Sequence, residues 1–215
     1  MAEQHLKLYE SSGSPNARRV RIFLAEKGIC VARVPVDLGA GEQHSQAYIR
    51  INPRGVVPTL VLEDGTAIGE VPAILRYLEE TNPNTPLLGT SPKDKALVTM
   101  WERRMELEGF AAVMETVRNN AAGLKGRAIA GPHGYEQIPA LVARGRQRVA
   151  DFYGDLEARL SEVPFVAGDR FSVADITAIV TIDFATQALN LPIPEHHAAA
   201  QLWYKQIAHR PSMAA

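Results

Sequence analysis

The stretch GVVPTLVLEDGTAIGEVPAIL, residues 55–75, is the part of the sequence that decides the fold of the first third of the chain. It predicts a strand over residues 58–63, an Asp-Gly turn that closes a hairpin, and a second strand over residues 66–68. A helix is predicted over residues 72–81, because proline in the first helical turn gives up only an amide that has no partner within the helix. The stretch is therefore typical of a strand, hairpin and helix unit.

Upstream of this stretch, short apolar segments alternate with helical patterns. Strands are predicted over residues 6–9 and 31–36, and helices over residues 18–27 and 42–51. Strand, helix, strand and helix, followed by the hairpin and its helix, predict a compact α/β unit with a mixed sheet.

Downstream, prolines and turn-forming residues are concentrated between residues 82 and 95, which indicates a linker. The pattern beyond it is helical to the end, and residues 173–185 are apolar on nearly every side. Ser172 and Asp175 have the spacing of a capping box at the start of that buried helix. The sequence therefore predicts a first domain over residues 1–82, a linker over 83–92 and an all-helical domain over 93–215.

The composition narrows the possible partners. The 215 residues include 23 basic and 24 acidic side chains with no long run of either sign, which argues against a nucleic-acid surface or a polybasic membrane anchor. No apolar run approaches the roughly 18 residues of a membrane span, and the N-terminus lacks the apolar segment of a signal peptide. The single cysteine, Cys30, excludes an intramolecular disulfide framework and favours the cytoplasm. None of the six histidines forms a helical i, i+4 pair, so no metal site is expected.

The segment YESSGSPNARRVRIFLAEKG, residues 9–28, places small hydroxyl and turn-forming residues directly before a helix. One explanation is helix capping by Ser14, with Pro15 at the first helical position. The other is a site that holds an anion at the N-terminus of the helix.

Four stretches of the chain, taken in order, resemble the cytosolic glutathione transferases. They are GSPNARRVRIFLAEKGI (13–29), INPRGVVPTLVLEDGTAIGEVPAILRYLEE (51–80), the proline-rich linker, and PFVAGDRFSVADI (164–176). The segment LLGTSPKDKALVTMWERRMELEGF (87–110) is most similar to the Gtt2-like fungal and bacterial members. The resemblance implies a thioredoxin-like domain joined to an all-helical domain, usually in a homodimer, with glutathione bound at the domain boundary.

The resemblance also implies which residues bind glutathione. The main chain of Val57, before a cis Pro58, would pair with the cysteinyl part; a trans proline at a strand start is the plain alternative. Glu70 would accept from the ammonium group. Val71 stands where most members carry a serine, so only its backbone amide is left for the γ-glutamyl carboxylate. Contacts to the glycyl carboxylate are expected from Gln43 and His44, although a solvated loop explains these two residues equally well.

The resemblance offers two ways to activate the thiol of glutathione. Its unperturbed pKa of about 8.5 leaves only a few per cent ionised at neutral pH. Ser14 lies where serine-type transferases carry their activating hydroxyl. Gtt2-like members instead use the helix N-terminus and a held water. Asn16 is a further candidate contact, beside Ser11 and Ser12.

Residues of the second domain are expected to form the electrophile pocket. The candidates are Phe110, Met114, Arg118 and Asn119. Core packing is the alternative for the first two. Histidines that similar members carry near Arg118 are absent.

The resulting hypothesis is a glutathione transferase that attacks hydrophobic electrophiles with a thiolate. Its partners would be glutathione, a small hydrophobic electrophile and a second copy of the chain, without nucleic acid, membrane or metal. Thiol-disulfide exchange is disfavoured because Cys30 lies beyond the first helix. A non-catalytic dimerisation or protein-binding module of the same fold is the alternative, and Val71 in place of serine favours it.

Overall fold

The computed structural model describes residues 6–215. The expectation of no signal peptide, and the start of the first predicted domain, concern residues 1–5 and lie outside this range. Contacts divide the chain into two compact units. The first comprises the chain up to Thr85 with residues 130–132 and 214–215, and the second comprises residues 86–129 and 133–213. The division falls within the predicted linker, while the domain boundaries themselves stay predictions.

The first unit contains a mixed four-stranded sheet, as predicted. Its strands are β1 (Lys7–Glu10), β2 (Ala32–Pro35), β3 (Thr59–Val61) and β4 (Ala67–Ile68), in the spatial order β2-β1-β3-β4. β1 is parallel to β2 and antiparallel to β3, and β3 is antiparallel to β4. The Asp-Gly turn closes the predicted hairpin, with Asp64 Oδ1 accepting from the N–H of Thr66 at 2.8 Å.

Three α-helices complete the first unit: α1 (Pro15–Lys27), α2 (Gln46–Ile49) and α3 (Val71–Thr81). α1 begins at Pro15, earlier than the predicted start at residue 18, because Ser14 caps it and proline fits the first helical position. The helix predicted over residues 42–51 is interrupted at Ser45. A 3₁₀ turn over Glu42–His44 precedes Ser45, whose extended backbone and side chain cap α2.

The second unit is built from helices, as predicted. They are α4 (Pro92–Arg104), α5 (Ala111–Asn120), α6 (Pro139–Leu160), α7 (Val173–Leu189) and α8 (Ala198–Ala208), with 3₁₀ turns over Ala122–Leu124 and Pro211–Ala214. None of the helices in residues 6–215 is both long enough and apolar enough to cross a membrane.

α7 is the central helix of this unit. Twelve of its residues are buried, which confirms the helix predicted to be apolar on nearly every side. The predicted capping box is present, and Asp175 Oδ2 accepts from the backbone N–H of Ser172 at 2.9 Å. Oδ1 of Asp175 accepts from the N–H of Val166 at 2.9 Å and from Nε1 of Trp203 at 3.0 Å. One carboxylate therefore joins the start of α7 to the preceding loop and to α8.

A π-helical segment, Met105–Phe110, connects α4 to α5 and was not predicted. A close tertiary contact lies within it. A Cβ at Gly109 would lie 2.6 Å from the ring of Phe152 on α6, so a residue with a side chain does not fit at position 109 without a shift of that ring. Such bulges distort a helix locally without ending it.

Candidate functional site

The residues predicted to bind glutathione lie beyond one end of the strands, called here the edge of the sheet, where β1, β2 and β4 end and β3 begins. β1 and β2 are parallel and end at this edge, where Glu10 pairs with Pro35. β3 begins there, because Tyr9 pairs with Thr59 in antiparallel register, and β4 runs back to the same edge. The segments that leave or enter the sheet here carry, in chain order, Ser14, Asn16, Gln43, His44, Val57, Pro58, Glu70 and Val71.

Ser14 is the cap residue of α1 and has 8% of its surface exposed. Its backbone N–H donates to the carbonyl of Ser11 at 3.0 Å, and its Oγ accepts from the N–H of Ala17 at 3.3 Å. A hydroxyl that accepts through a lone pair keeps its own proton for donation. The two roles considered for Ser14, helix cap and hydroxyl donor, are therefore compatible.

The first turn of α1 leaves one backbone donor available. Pro15 has no N–H and Ala17 donates to Ser14, whereas the N–H of Asn16 donates to no group in the described part of the chain. No acidic side chain occurs in this turn. The partial positive charge of the helix N-terminus is therefore not neutralised by a carboxylate of the helix itself, which favours a bound anion.

A charge cluster of buried Glu10, buried Arg21 and exposed Arg33 supports the loop that carries Ser14. Glu10 Oε2 accepts from Nη1 of Arg21 at 2.6 Å, and Oε1 accepts from Nε of Arg33 at 2.8 Å. Arg21 also donates from Nη2 to the carbonyl of Ser12 at 3.2 Å. The end of β1 and the following loop are thus both bound by a side chain of α1, which fixes the loop relative to that helix.

Val57 lies two residues before β3, and the Val57-Pro58 bond is cis, which confirms the prediction. The side chain of Val57 packs with Val36 and Tyr48 in a small apolar cluster. Its backbone N–H donates to no group among the described residues. Val57 therefore keeps a main-chain donor for another molecule.

Glu70 precedes α3 and has an unusual backbone conformation, with φ 62° and ψ 124°. Residues other than glycine rarely adopt this region, and residues that do are often found at active sites and ligand-binding sites. The Glu70 side chain is exposed, and within residues 6–215 its carboxylate accepts no hydrogen bond. The N–H of Val71 also donates to none of these residues, and Pro72 has no N–H. A carboxylate and a helix-terminal amide are thus available side by side.

Gln43 and His44 lie in the 3₁₀ turn that packs against Gly55. A Cβ on Gly55, whose φ is 61°, would lie 3.1 Å from the carbonyl oxygen of Gln43 and 3.1 Å from Nδ1 of His44. The Oε1 atom of Gln43 is buried and has no hydrogen-bond partner among the described residues, whereas His44 is exposed. The turn therefore lies beside the loop that leads to Val57, and the role of both side chains stays a prediction.

Two of the residues predicted to line an electrophile pocket make structural contacts. Phe110 is buried, and its ring centroid lies 6.2 Å from that of Phe184. Asn119 is also buried; its Oδ1 accepts from the N–H of Ile138 at 2.8 Å, and its Nδ2 donates to the carbonyl of Glu115 at 2.8 Å. These contacts favour helix packing for Phe110 and loop anchoring for Asn119.

The other two candidates, Met114 and Arg118, are half-buried on α5. Nη2 of Arg118 donates to the carbonyl of Arg127 at 2.6 Å. Burial, together with the nearby charge of Arg127, lowers the pKa of Arg118. A pocket-lining role for these residues stays a prediction.

Family models match both units of the chain. The glutathione S-transferase N-terminal domain matches residues 13–81, and the C-terminal domain of the same family matches residues 139–206. Among curated proteins, glutathione S-transferase 2 of Saccharomyces cerevisiae is 32% identical over 98% of this chain and 89% of its own length. The chain belongs to the glutathione S-transferase family. The prediction of an enzyme, a glutathione transferase, is confirmed at this level.

Solved glutathione S-transferase structures give the same result. A glutathione S-transferase domain-containing protein from Marinobacter aquaeolei superposes with a TM-score of 0.89 at 36% identity, covering 96% of this chain and 99% of the other. Gtt2 from Saccharomyces cerevisiae gives a TM-score of 0.88 at 33% identity, covering 97% and 98%. The resemblance to Gtt2-like members and the glutathione transferase fold, thioredoxin-like and helical, are thereby confirmed.

Two groups of residues in this glutathione S-transferase were not predicted from the sequence. One is the Glu10, Arg21 and Arg33 cluster. The other comprises Tyr48 and Thr59, which contact the segment before Val57. A signal existed for Arg21, since it lies between apolar residues within a helix stretch that is buried on several sides. No local pattern identified Tyr48, because its contacts depend on the pairing of the sheet.

Proposed function

We propose that this chain holds the sulfur of glutathione as a thiolate at the N-terminus of α1 and directs it at hydrophobic electrophiles. The observation that carries the proposal is that two hydrogen-bond donors are available in the same turn. They are the Ser14 hydroxyl, whose proton is free for donation, and the N–H of Asn16, which has no acceptor among the described residues. Two donors and a helix N-terminus without an acidic side chain stabilise an anion and disfavour the neutral thiol.

The thiolate is the reactive species in this proposal. Ser14 donates a hydrogen bond to the sulfur and takes no proton from it, so the thiol proton leaves to solvent. The thiolate then forms a carbon-sulfur bond with the electrophile. In a substitution the leaving group departs with the bonding electrons, and in a conjugate addition the resulting carbanion takes a proton from water.

The remaining contacts fix the tripeptide. Glu70 accepts from the α-ammonium group of the γ-glutamyl residue, and the N–H of Val71 binds its carboxylate. The main chain of Val57 pairs with the cysteinyl residue in the manner of an added strand. Gln43 and His44 remain the proposed contacts of the glycyl carboxylate. The electrophile is assigned to side chains of α5 and the preceding segment, with Met114 and Arg118 ahead of the more buried Phe110 and Asn119.

A second copy of the chain is the proposed protein partner. Leu97, Met100 and Leu107 are 39%, 46% and 46% exposed and follow one another at helical spacing along α4 and the π-helical segment. Exposed apolar side chains in such a stripe are typical of protein interfaces. Arg103 pairs with Glu106 and Arg104 with Glu108 in the same segment, so the surface carries both signs of charge, which suits one that meets its own copy. The cytoplasm remains the proposed location, given a single cysteine.

A non-catalytic binding module is the second candidate function. Val71 favours it, since its side chain is 4% exposed and supplies no hydroxyl to a ligand. The free carboxylate of Glu70 and the unpaired N–H of Val57 disfavour it, because a module that does not bind glutathione does not need these two groups.

Calorimetry with glutathione, together with turnover of a chlorodinitrobenzene-type acceptor, tests the proposal. The transferase is expected to bind glutathione and to form the conjugate. Glu70→Ala should weaken both signals, whereas Glu80→Ala, an exposed carboxylate at the other end of α3, should leave both unchanged. Absence of binding and turnover in the unsubstituted protein would refute the transferase and favour the module.

A further inference from the structure

We infer that the hydroxyl of Tyr48 positions the main chain of Val57 for glutathione. It does so by binding the carbonyl oxygen of Val56, which lies on the opposite side of the Val56-Val57 peptide group from the N–H of Val57. Tyr48 acts here through Val57 and does not itself contact the ligand. The inference rests on the proposed function, since it assigns a support to one contact of that site.

The Val56 carbonyl oxygen receives an unusual concentration of side-chain donors. Tyr48 OH donates to it at 2.7 Å, and Nδ2 of Asn52 donates to it at 3.0 Å. Thr59 Oγ1 lies 3.0 Å from Tyr48 OH and accepts from Nδ2 of Asn52 at 2.9 Å. The group therefore joins α2, the loop after it and the start of β3 through one carbonyl oxygen.

Thr59 Oγ1 also lies 3.4 Å from the Val56 oxygen, the longest of these contacts. The shorter hydrogen bonds of this group are satisfied together by one set of directions. The Tyr48 hydroxyl donates to Val56, the Thr59 hydroxyl donates to Tyr48, and the Asn52 amide donates to both Val56 and Thr59. Every member except Val56 has both a donor and an acceptor in use. Burial raises the pKa of Tyr48, so its hydroxyl keeps its proton at neutral pH and remains a donor there.

Peptide geometry turns this anchor into an orientation for Val57. Val57-Pro58 is the only cis peptide bond found in residues 6–215, so the bond between Val56 and Val57 is trans. In a trans peptide the C=O of one residue and the N–H of the next point in opposite directions. Drawing the Val56 oxygen toward Tyr48 therefore turns the Val57 N–H away from the protein groups, which agrees with its lack of a partner in this part of the chain.

The side chains strengthen the same arrangement. The ring of Tyr48 packs with the side chains of Val36 and Val57, and it meets the ring of Tyr9 edge-on at 6.1 Å between centroids. Tyr48 is thus fixed by β1 and by the segment after β2. Its hydroxyl reaches Val56 from a rigid base, which is what a positioning contact requires.

The test uses Tyr48→Phe, with Tyr77→Phe as its matched control. Tyr77 lies on α3 in the same unit, and its hydroxyl makes no hydrogen bond to the described residues. A second pair keeps the test valid if Tyr48→Phe folds poorly. Thr59→Val removes the buried hydroxyl at nearly constant volume, whereas Thr59→Ser retains it. Dissociation constants for glutathione and for S-methylglutathione are measured by calorimetry, with the melting temperature and the pKa of the bound thiol measured in parallel.

Tyr48→Phe and Thr59→Val are expected to raise both dissociation constants by the same factor, about three- to ten-fold, as expected for one weakened hydrogen bond. The factor is the same because Val57 contacts the main chain of the tripeptide and not its sulfur. Thr59→Ser and Tyr77→Phe should bind like the unsubstituted protein, and the thiol pKa should not change in any variant. In turnover, KM for glutathione rises while kcat is retained.

Three results would overturn the inference. If Tyr48→Phe and Thr59→Val lower the melting temperature but leave both dissociation constants unchanged, the hydroxyls are structural and the proposed function still stands. If the thiol pKa rises with the dissociation constant of glutathione alone, the group acts on the sulfur instead. If the unsubstituted protein binds neither tripeptide, the proposed function fails and the positioning role fails with it.

Discussion

Glu70 combines an available carboxylate with a backbone conformation that costs roughly 1–3 kcal/mol for a residue with a side chain. Such a conformation persists only where the surrounding structure compensates for it. The Glu70 carbonyl accepts from the N–H groups of both Ala73 and Ile74, so the start of α3 holds the conformation in place. The binding role proposed for Glu70 and the stability of the chain therefore make opposite demands at this residue.

This opposition can be measured with a pair of substitutions at Glu70. Glu70→Ala and Glu70→Gly both remove the carboxylate and should weaken glutathione binding by about ten-fold, the loss of one charge-assisted hydrogen bond. Glycine adopts the positive φ without strain, so Glu70→Gly should unfold with a free energy roughly 1 kcal/mol higher than Glu70→Ala. Denaturant unfolding and calorimetry check the two effects. Equal stability of the two variants would mean that the conformation carries no strain.

At the scale of secondary-structure elements, the contact between α5 and α6 depends on the absence of a side chain at Gly145. A Cβ there would collide with Oγ1 of Thr116, which donates to the carbonyl of Ala112 at 2.8 Å, and it would lie 3.2 Å from that carbonyl oxygen. Thr116 and Ala112 are fully buried, so neither can move into solvent. The two helices therefore approach closely at this point.

Gly145→Ala is expected to lower the free energy of unfolding by about 1–3 kcal/mol, because a methyl group overpacks the helix contact. Gly154→Ala is the matched control in the same helix, where a Cβ would meet no atom within 4 Å. The control should instead raise stability by up to about 1 kcal/mol through helix propensity. Equal signs for the two changes in chemical denaturation would contradict the close contact.

The start of α7 should make stability depend on pH. Burial raises the pKa of Asp175 to about 6 despite the hydrogen bonds it accepts, whereas the unfolded carboxyl titrates near 3.8. The folded state therefore binds this proton more tightly than the unfolded state does. This proton contributes about 3 kcal/mol to the free energy of unfolding. The contribution is fully present below pH 3.8 and is lost as pH rises through about 6.

Asp175→Asn tests this pH dependence. It removes the titration and should flatten the fall in unfolding free energy between about pH 4 and pH 6. It should also lower stability at every pH, because its amide cannot accept from all the donors that the carboxylate now serves. Asp155→Asn, an exposed position on α6, serves as the control. An unchanged slope in Asp175→Asn would assign the pH dependence to other groups.

The sequence predicted the elements well where local chemistry determines them. The hairpin, the cap at Ser172 and the helix of residues 173–185 follow from turn residues and apolar patterns alone. The π-helical segment could not be predicted, because no local pattern marks it and its contact between Gly109 and the ring of Phe152 arises only in the folded chain. The supports of the site were missed for a similar reason, since Tyr48 and Thr59 are brought together only when the segments around β3 fold against each other.

At the scale of the whole molecule, the proposed homodimer concerns an exposed stripe of Leu97, Met100 and Leu107. Burial of such side chains against a second copy contributes about 25 cal/mol per Å² of apolar surface to the free energy of dimerisation. One unpaired charged side chain in the contact opposes this gain, because the charge loses its hydration. A chain of 23.5 kDa should therefore sediment at twice this mass.

Met100→Glu is expected to convert the dimer to a monomer at micromolar concentration. Leu202→Glu is the control, since Leu202 is 71% exposed on α8 and lies outside the stripe. Sedimentation velocity distinguishes the two outcomes. A monomeric unsubstituted protein, or a dimer that tolerates Met100→Glu, would place the proposed interface elsewhere or remove it.

The titration of bound glutathione tests the central proposal most directly, because it observes the sulfur itself. Ultraviolet absorbance of the thiolate is followed against pH for the complex of the unsubstituted protein, of Ser14→Ala and of Ser12→Ala, whose side chain is exposed in the same loop. The bound thiol should ionise at least one unit below the unperturbed value of about 8.5, and Ser14→Ala should raise its pKa by roughly one unit while Ser12→Ala does not. Bound glutathione that titrates like free glutathione in all three proteins would contradict a thiolate held at the N-terminus of α1.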